Sequence, residues 1–569
     1  YISAEELSEA NQAPITSIKH GAEIELSAPY IAEMAHQEMI ERFGKEAAYT
    51  GGYRVFTTVT SKLQYAAEQA VINNIFAYDQ RHGYRGPIST IRPIDDNDVN
   101  TSTNERVIAA IDKVEVRQAL APLGSYHSLV PAVVTATFEQ SIQVTLEDGS
   151  DVQIDWPGLS WARAYINDDK QAAAPVTASD IVTVGDIIMI AKTASSYRLS
   201  QLPEVSSALV SLATDNGAIK AAVGGFSFQQ SQFNRVTQAK RQVGSNIKPF
   251  IYSAALDSGY TLASIVNDAP INQWDRSSGV VWRPKNSPPV YNGEIRLRLA
   301  LAQSKNVIAV RLLRDVGLDK IIPYLASFGF NPDDLPRNES LALGSASLTP
   351  LEVATGFATF ANGGFLVKPY LIERIEDSFG KVLFQASPAI ACDNCVDIID
   401  TEPEMNDIND KSYVYAMPDD NPLALQVINR AERVISAQNA FLMTEALNSA
   451  IWGADWNTKP FWQGTGYRAR TLKRKDIAGK TGTTNQAKDA WFSGYSRSRN
   501  LGQTTYNSNL GQDQTTGKEF GAKSAQPAWI NFMRVALEDF PIEAFEQPGA
   551  LMSVRIDKVS GKLSKKTDK

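Results

Sequence analysis

The period of the apolar residues changes twice along this chain, and that excludes a single uniform fold. From about Val130 to Lys192 apolar and polar residues alternate in short runs, the period of strands. From Leu299 onward the apolar residues recur every third or fourth position, the period of helices, until Ile477 to Thr484 returns to a strand-like run. A chain of 569 residues also exceeds one core and implies roughly two to four domains. The net charge of −8, with basic residues bunched only in the last stretch from Lys558 to Lys569, weighs against nucleic acid as a partner. That tail reads as a frayed, solvated terminus. No apolar run reaches the roughly 18 residues needed to cross a bilayer, and no signal peptide is visible. The chain starts at Tyr1, so it is expected to be processed or trimmed, with any membrane anchor upstream.

Local signals place the elements. Ala28 to Phe43 spaces Ile31, Met34, Ala35 and Met39 on one helical face, and Gly44 stops it. Tyr53 to Val59 alternates as a strand, and Ser61 to Asp79 returns to helix spacing. Val130 to Phe138, Ile142 to Leu146 and Val152 to Trp156 read as strands, the last two joined by the turn Asp148-Gly149. Val182 to Ala191 reads as a strand pair around Gly185-Asp186. Short strands with polar tips suggest a small β-barrel of the oligonucleotide/oligosaccharide-binding (OB) shape, or a spacer with no ligand of its own. Leu209 to Leu212 and Ile219 to Val223 flank the turn Asp215-Asn-Gly217. Helices follow at Leu299 to Leu313, Ile321 to Phe328, Leu351 to Ala361 and Ala437 to Ile451. Strands at both ends with helices between describe an α+β domain, an antiparallel sheet packed with helices.

Cys392 and Cys395 form a C-x-x-C pair in a polar, acidic stretch, which suits a local disulfide or two idle thiols better than a redox site. No histidine lies nearby to complete a zinc site, so no metal is expected. His20, His36, His82 and His127 all precede the stretch that carries chemistry, so a nucleophile there needs another base.

Three short strings supply that chemistry. In Ser245-Asn-Ile-Lys248, a Gly precedes a Ser that opens a helix, which exposes the hydroxyl, and Lys248 falls on the same face. A partly desolvated amine there, near other cations, can accept the serine proton. In Ser304-Lys-Asn306, at a turn between helices, a hydroxyl can relay a proton while Asn306 holds Lys248 or a substrate amide. In Lys480-Thr-Gly-Thr483, Gly482 admits a ligand backbone to a strand edge, and Lys480, Thr481 and Thr483 offer charge and hydroxyls to a carboxylate. The backbone N–H groups of Ser245 and Thr483 are candidates for an oxyanion hole. Each string alone is ordinary: a helix-capping Ser, a helix-to-helix turn, a strand with an exposed Lys.

In this order they form the S-x-x-K, S-x-N, K-T-G set of the penicillin-recognising serine enzymes. The surrounding text, Arg241 to Leu256, Leu299 to Val307, Gly479 to Asn485 and Asp489-Ala-Trp-Phe492 before Gly494-Tyr495, resembles class A penicillin-binding proteins, as do Ser27 to Tyr30 and Arg81 to Pro87. The resemblance implies a D,D-transpeptidase that needs no cofactor and joins peptidoglycan stem pentapeptides through an acyl group on Ser245. Lys248 would be the base, Ser304 the relay and Asn306 a positioning residue, while Lys480, Thr481, Gly482 and Thr483 bind substrate. β-Lactam antibiotics would acylate the same serine. It also implies residues 1–27 as the tail of a glycosyltransferase domain, 28–110 as an α/β linker region, 111–200 as the OB-like domain and 201–569 as the transpeptidase. The expected location is the periplasmic face of a bacterial inner membrane, with an outer-membrane lipoprotein activator docking on the OB-like domain. A serine β-lactamase, a D,D-carboxypeptidase and a non-catalytic penicillin sensor stay open as alternatives. Glu402-Pro-Glu-Met-Asn406 resembles the β-lactamase loop that activates water, although its acidic surroundings read as a solvated loop. One departure stands out: Ser496 to Gln514 is polar and rich in Asn and Gln, where the family has an apolar strand, so no buried strand is expected there.

Overall fold

The computed structural model describes residue 3 and residues 24–91, 111–193, 195–275, 280–393, 396–397, 412–415, 426–453, 463–497, 501–508, 512–513, 517–557 and 560–564. Glu402 to Asn406, Cys395 and most of residues 1–27 lie outside that set. Cys392 is disulfide-bonded, and Cys395 is the only other cysteine in the sequence. Among the described residues no helix is long and apolar enough to cross a membrane.

The first elements are α1 (Pro29–Phe43), β1 (Arg54–Thr57) and α2 (Ser61–His82). Proline at the start of α1 suits a first turn whose N–H groups lack partners, and Gly83 ends α2. Four further strands, β2 (Leu129–Thr137), β3 (Ser141–Thr145), β4 (Asp151–Asp155) and β5 (Asp186–Lys192), join Ser89–Thr90 and Tyr197–Ser200 in a six-stranded sheet. Its inward positions alternate as the sequence does: Ala132, Val134, Ile142, Val144, Ile154, Ile188, Ile190 and Leu199 share one apolar core. The Asp148-Gly149 turn lies between β3 and β4 as expected. Gly185-Asp186 differs. Only Asp186 to Lys192 is strand, because the Asp186 carboxylate accepts the Thr183 N–H at 2.7 Å and closes a turn where a second strand was expected.

A hairpin of β6 (Ser206–Ala213) and β7 (Ile219–Val223) then opens the second sheet. Helices α3 (Lys248–Asp257), α4 (Leu297–Ala302), α5 (Asn306–Val316) and α6 (Pro350–Ala361) follow, then strand β8 (Ile372–Glu376), which pairs with the distant β1, and helix α7 (Ala437–Trp452). The chain returns to the second sheet as β9 (Ile477–Thr483), β10 (Asp489–Ser496) and β11 (Leu501–Ser508), and α8 (Gln526–Ala536) closes it. The order is β7-β6-β11-β10-β9, all antiparallel, with β9 at an edge. Both faces are covered. Val210, Leu212, Trp491 and Tyr495 meet α3, α5 and α6 on one side, while Leu209, Ala490 and Phe492 meet α2 and α8 on the other.

Strand β11 corrects the sequence reading of Ser496 to Gln514. Leu501 to Ser508 pairs with β6 on one side and β10 on the other, inside the sheet. Its buried hydroxyls are satisfied rather than exposed. Thr504 Oγ1 lies 2.9 Å from Ser493 Oγ, and Thr505 Oγ1 donates to the Ala525 carbonyl at 3.0 Å. At Thr504 and Thr505, hydroxyl side chains with partners elsewhere in the fold thus stand where apolar ones were expected.

Phe250 anchors α3. It is buried, with its ring centroid 5.0 Å from Phe328, 4.8 Å from Phe330, 5.6 Å from Phe357 and 5.2 Å from Phe360. Phe250→Ala is expected to lower unfolding free energy by about 3–5 kcal/mol in urea titrations. A loss below about 1 kcal/mol would mean that the cluster repacks and does not fix α3.

Candidate active site

The three strings come from three parts of the fold and meet. Gly244–Ile247 is a short 3-10 turn that runs into α3, and it leaves Ser245 half-buried at the surface. One turn later the Lys248 side chain points into the protein and has no exposed surface. Ser304 sits in the break between α4 and α5 with φ of +56°, a left-handed conformation that turns its side chain out of the helical path. Lys480 is fully buried on the edge strand β9.

Their polar atoms form one network. Lys248 Nζ donates to the Ser304 carbonyl at 2.6 Å and to Asn306 Oδ1 at 2.6 Å, and lies 3.2 Å from Ser304 Oγ. Lys480 Nζ donates to the same Ser304 Oγ at 2.9 Å and to the Thr481 carbonyl at 2.9 Å. One hydroxyl therefore stands between two amines. Burial, with the neighbouring Lys480 charge adding to it, holds Lys248 well below its ordinary lysine value. Burial lowers Lys480 to about 7. A neutral Lys248 amine gives two N–H groups to the Ser304 carbonyl and Asn306, which leaves its lone pair free to take a proton.

The backbones interlock as closely. A side-chain carbon at Gly244 would stand 2.5 Å from the Thr483 carbonyl oxygen, so the turn that carries Ser245 lies against the end of β9. One at Gly482 would stand 2.6 Å from the Val243 carbonyl oxygen and 2.9 Å from Trp491 Cβ. Glycine at 482 thus admits, on the side where a Cβ would stand, the protein's own turn that carries Ser245. Thr481 Oγ1 donates to Thr465 Oγ1 at 2.8 Å, and Thr483 Oγ1 accepts the Gly521 N–H at 3.0 Å.

A second layer holds Ser304 and Asn306, and the sequence reading missed it. Buried Asp268 accepts from Asn286 Nδ2 at 2.7 Å and pairs with Lys305 Nζ at 3.2 Å. Asn286 Oδ1 in turn accepts the Asn306 N–H at 2.9 Å, and Asn306 Nδ2 donates to the Lys285 carbonyl at 2.6 Å. Nothing in the local sequence marks them: Asp268 lies in Asn267-Asp-Ala-Pro270 and Asn286 in Pro284-Lys-Asn-Ser-Pro288. Among the described residues no cluster of His, Cys, Asp and Glu has the arrangement of a metal site.

A serine at a helix start, a buried lysine one turn on, and an edge strand carrying a second lysine define a penicillin-recognising serine enzyme. Family comparison agrees: residues 208–533 match the penicillin-binding protein transpeptidase domain, and residues 84–205 match the penicillin-binding protein OB-like domain. The chain belongs to the penicillin-binding protein family, as a D,D-transpeptidase of peptidoglycan synthesis, and the β-lactamase, carboxypeptidase and sensor alternatives are not favoured. Within that family it is similar to penicillin-binding protein 1A of Vibrio cholerae, 45% identical over 100% of this chain and 67% of the relative. It is 44% identical to penicillin-binding protein 1A of Escherichia coli, over 99% of this chain and 68% of that protein. The crystal structure of penicillin-binding protein 1A from Haemophilus influenzae superposes with a TM-score of 0.81 and 42% identity, over 100% of this chain and 78% of that one. The chain thus spans about two thirds of the length of these curated relatives.

Two lysines with depressed pKa values bind fewer protons folded than unfolded. Stability should therefore rise with pH from the folded value, about 7 for Lys480 and well below the ordinary value for Lys248, towards the ordinary lysine range. Each group contributes up to about 1.4 kcal/mol per pH unit. Urea midpoints are expected to climb between about pH 7.5 and about pH 9, and Lys248→Met and Lys480→Met should each flatten the climb. A flat or falling wild-type profile would mean that the amines are charged in the folded protein.

Proposed function

We propose that Ser245 is the nucleophile of a serine acyl transfer and that Lys248 is its base. The observation that carries this is the neutral-favouring burial of Lys248 beside a short turn whose serine faces outward. Ser245 Oγ attacks the carbonyl of the penultimate D-Ala of a stem pentapeptide, and its proton passes to Lys248 Nζ. The bond to the terminal D-Ala breaks, and the leaving amine takes a proton through the Ser304 hydroxyl, which lies within reach of both lysines. An amine of a neighbouring stem then attacks the ester carbonyl. Its proton returns along the same path, and Ser245 is released. Asn306 holds Lys248, and the Ser245 and Thr483 N–H groups stabilise the oxyanion. Lys480, Thr481 and Thr483 take the terminal carboxylate, and the peptide lies along the open edge of β9. β-Lactams acylate Ser245 by the same route.

The whole protein, in this reading, is anchored in the inner membrane upstream of the chain and works on its periplasmic face, with glycan polymerisation confined to the full-length form. The unit boundaries 28–110, 111–200 and 201–569 and a lipoprotein activator on the OB-like sheet belong to the same proposal.

Labelling with a fluorescent penicillin tests the centre of it. Wild-type protein is expected to carry a covalent adduct on Ser245, Ser245→Ala none, and Lys248→Met is expected to acylate at least about a hundredfold more slowly. Undiminished labelling of Ser245→Ala would refute the assignment.

A further inference from the structure

The turn Glu519 to Ser524 touches the substrate strand with one side and helix α2 with the other. On the strand side, the Gly521 N–H donates to Thr483 Oγ1 at 3.0 Å. A side-chain carbon at Gly521 would stand 2.5 Å from the Gly482 and Trp491 carbonyl oxygens, so the turn is pressed onto β9 and β10. On the helix side stands Glu519, with a side chain that has no exposed surface. Its carboxylate pairs with Arg81 at 3.1 Å, His82 at 3.2 Å and Lys523 at 3.1 Å, and it accepts from Ser524 Oγ. Asn74 of α2 donates to the Ser524 carbonyl at 2.5 Å. The same end of α2 is tied to the two-stranded hairpin Tyr165–Asn167 and Lys170–Gln171 and to the exit of the six-stranded sheet. Gln171 donates to the Arg81 carbonyl, and Gln201 donates to the Gly83 carbonyl at 2.9 Å.

The transfer mechanism uses none of Glu519, Arg81, His82 or Gln171. An ion-paired carboxylate without exposed surface costs desolvation that apolar packing would avoid, and it commonly specifies one geometry. Here that geometry fixes a hydroxyl. Because Thr483 Oγ1 accepts from Gly521, its position is fixed while its own O–H remains available to donate.

We propose that Glu519 is a positioning residue for the transpeptidase. It holds the Gly521 N–H on Thr483 Oγ1 and thereby links the end of α2, and the Gln171 hairpin and Gln201 bonded to it, to the carboxylate-binding end of β9. This rests on the proposed acylation of Ser245 and adds a control element to it. Movement at the end of α2 would be felt at Thr483 through one short turn, with no change in the Ser245–Lys248–Ser304 network.

A double-mutant cycle on the 569-residue chain tests the link, with the second-order rate of acylation by a fluorescent penicillin as readout. Thr483→Val is expected to slow acylation about tenfold and Glu519→Gln about fivefold. The double variant should fall about tenfold, because Glu519 has nothing left to position. The loss should sit in the concentration dependence rather than in the limiting rate, since the nucleophile and its base are untouched. A purely structural role gives the product, about fiftyfold, and overturns the proposal, as does wild-type acylation in Glu519→Gln. If Glu519→Gln lacks the wild-type melting transition, the cycle is run with the part-exposed Arg81→Gln, for which the same non-additivity is expected and the same multiplicative result is contrary. Absence of any adduct on wild-type Ser245 would instead refute the serine mechanism itself, so the two failures are distinguishable.

Discussion

Two lysines without exposed surface, placed on either side of one serine hydroxyl, are what the rest of this molecule is arranged to sustain. Two ammonium groups so close, out of water, would repel each other and each lose its hydration. Burial favours the neutral amine at both, and fixed acceptors receive their N–H groups: the Ser304 carbonyl, Asn306 Oδ1 and the Thr481 carbonyl. Such a pair costs stability, and in the proposed mechanism that cost supplies a base at Lys248.

Everything nearby serves to bring three distant segments to that point. A cluster of phenylalanines fixes α3 and so the turn that carries Ser245. The Asp268–Asn286–Lys305 network fixes the break between α4 and α5, where Ser304 takes a left-handed backbone. Both faces of the second sheet are packed with helices, and among the described residues no further strand pairs with the outer edge of β9.

Much of this was legible in the sequence, for specific reasons. Period-two runs gave the six-stranded sheet, the Asp215-Asn-Gly217 turn gave the hairpin of β6 and β7, and the three strings lay at a helix start, a helix break and a strand as their local context implied. What escaped depended on partners far away in the chain. Strand β11 looked too polar to be internal, because nothing in its own residues reveals that Ser493 and the Ala525 carbonyl would satisfy Thr504 and Thr505. The Val243 carbonyl that fills the Cβ side of Gly482 was likewise not legible in the sequence. Asp268 and Glu519 carried no local pattern at all. Their importance is visible only once Lys305, Asn286, Arg81 and His82 are folded around them.

The protonation state of Lys248 decides the account most directly. In protein labelled with carbon-13 at lysine Cε, the Lys248 resonance can be assigned by its loss in Lys248→Met and followed against pH. The account requires the chemical shift of a neutral amine at about pH 7.5. A shift that stays at the ammonium value up to about pH 10 would contradict it, because a charged Lys248 has no lone pair with which to take the Ser245 proton.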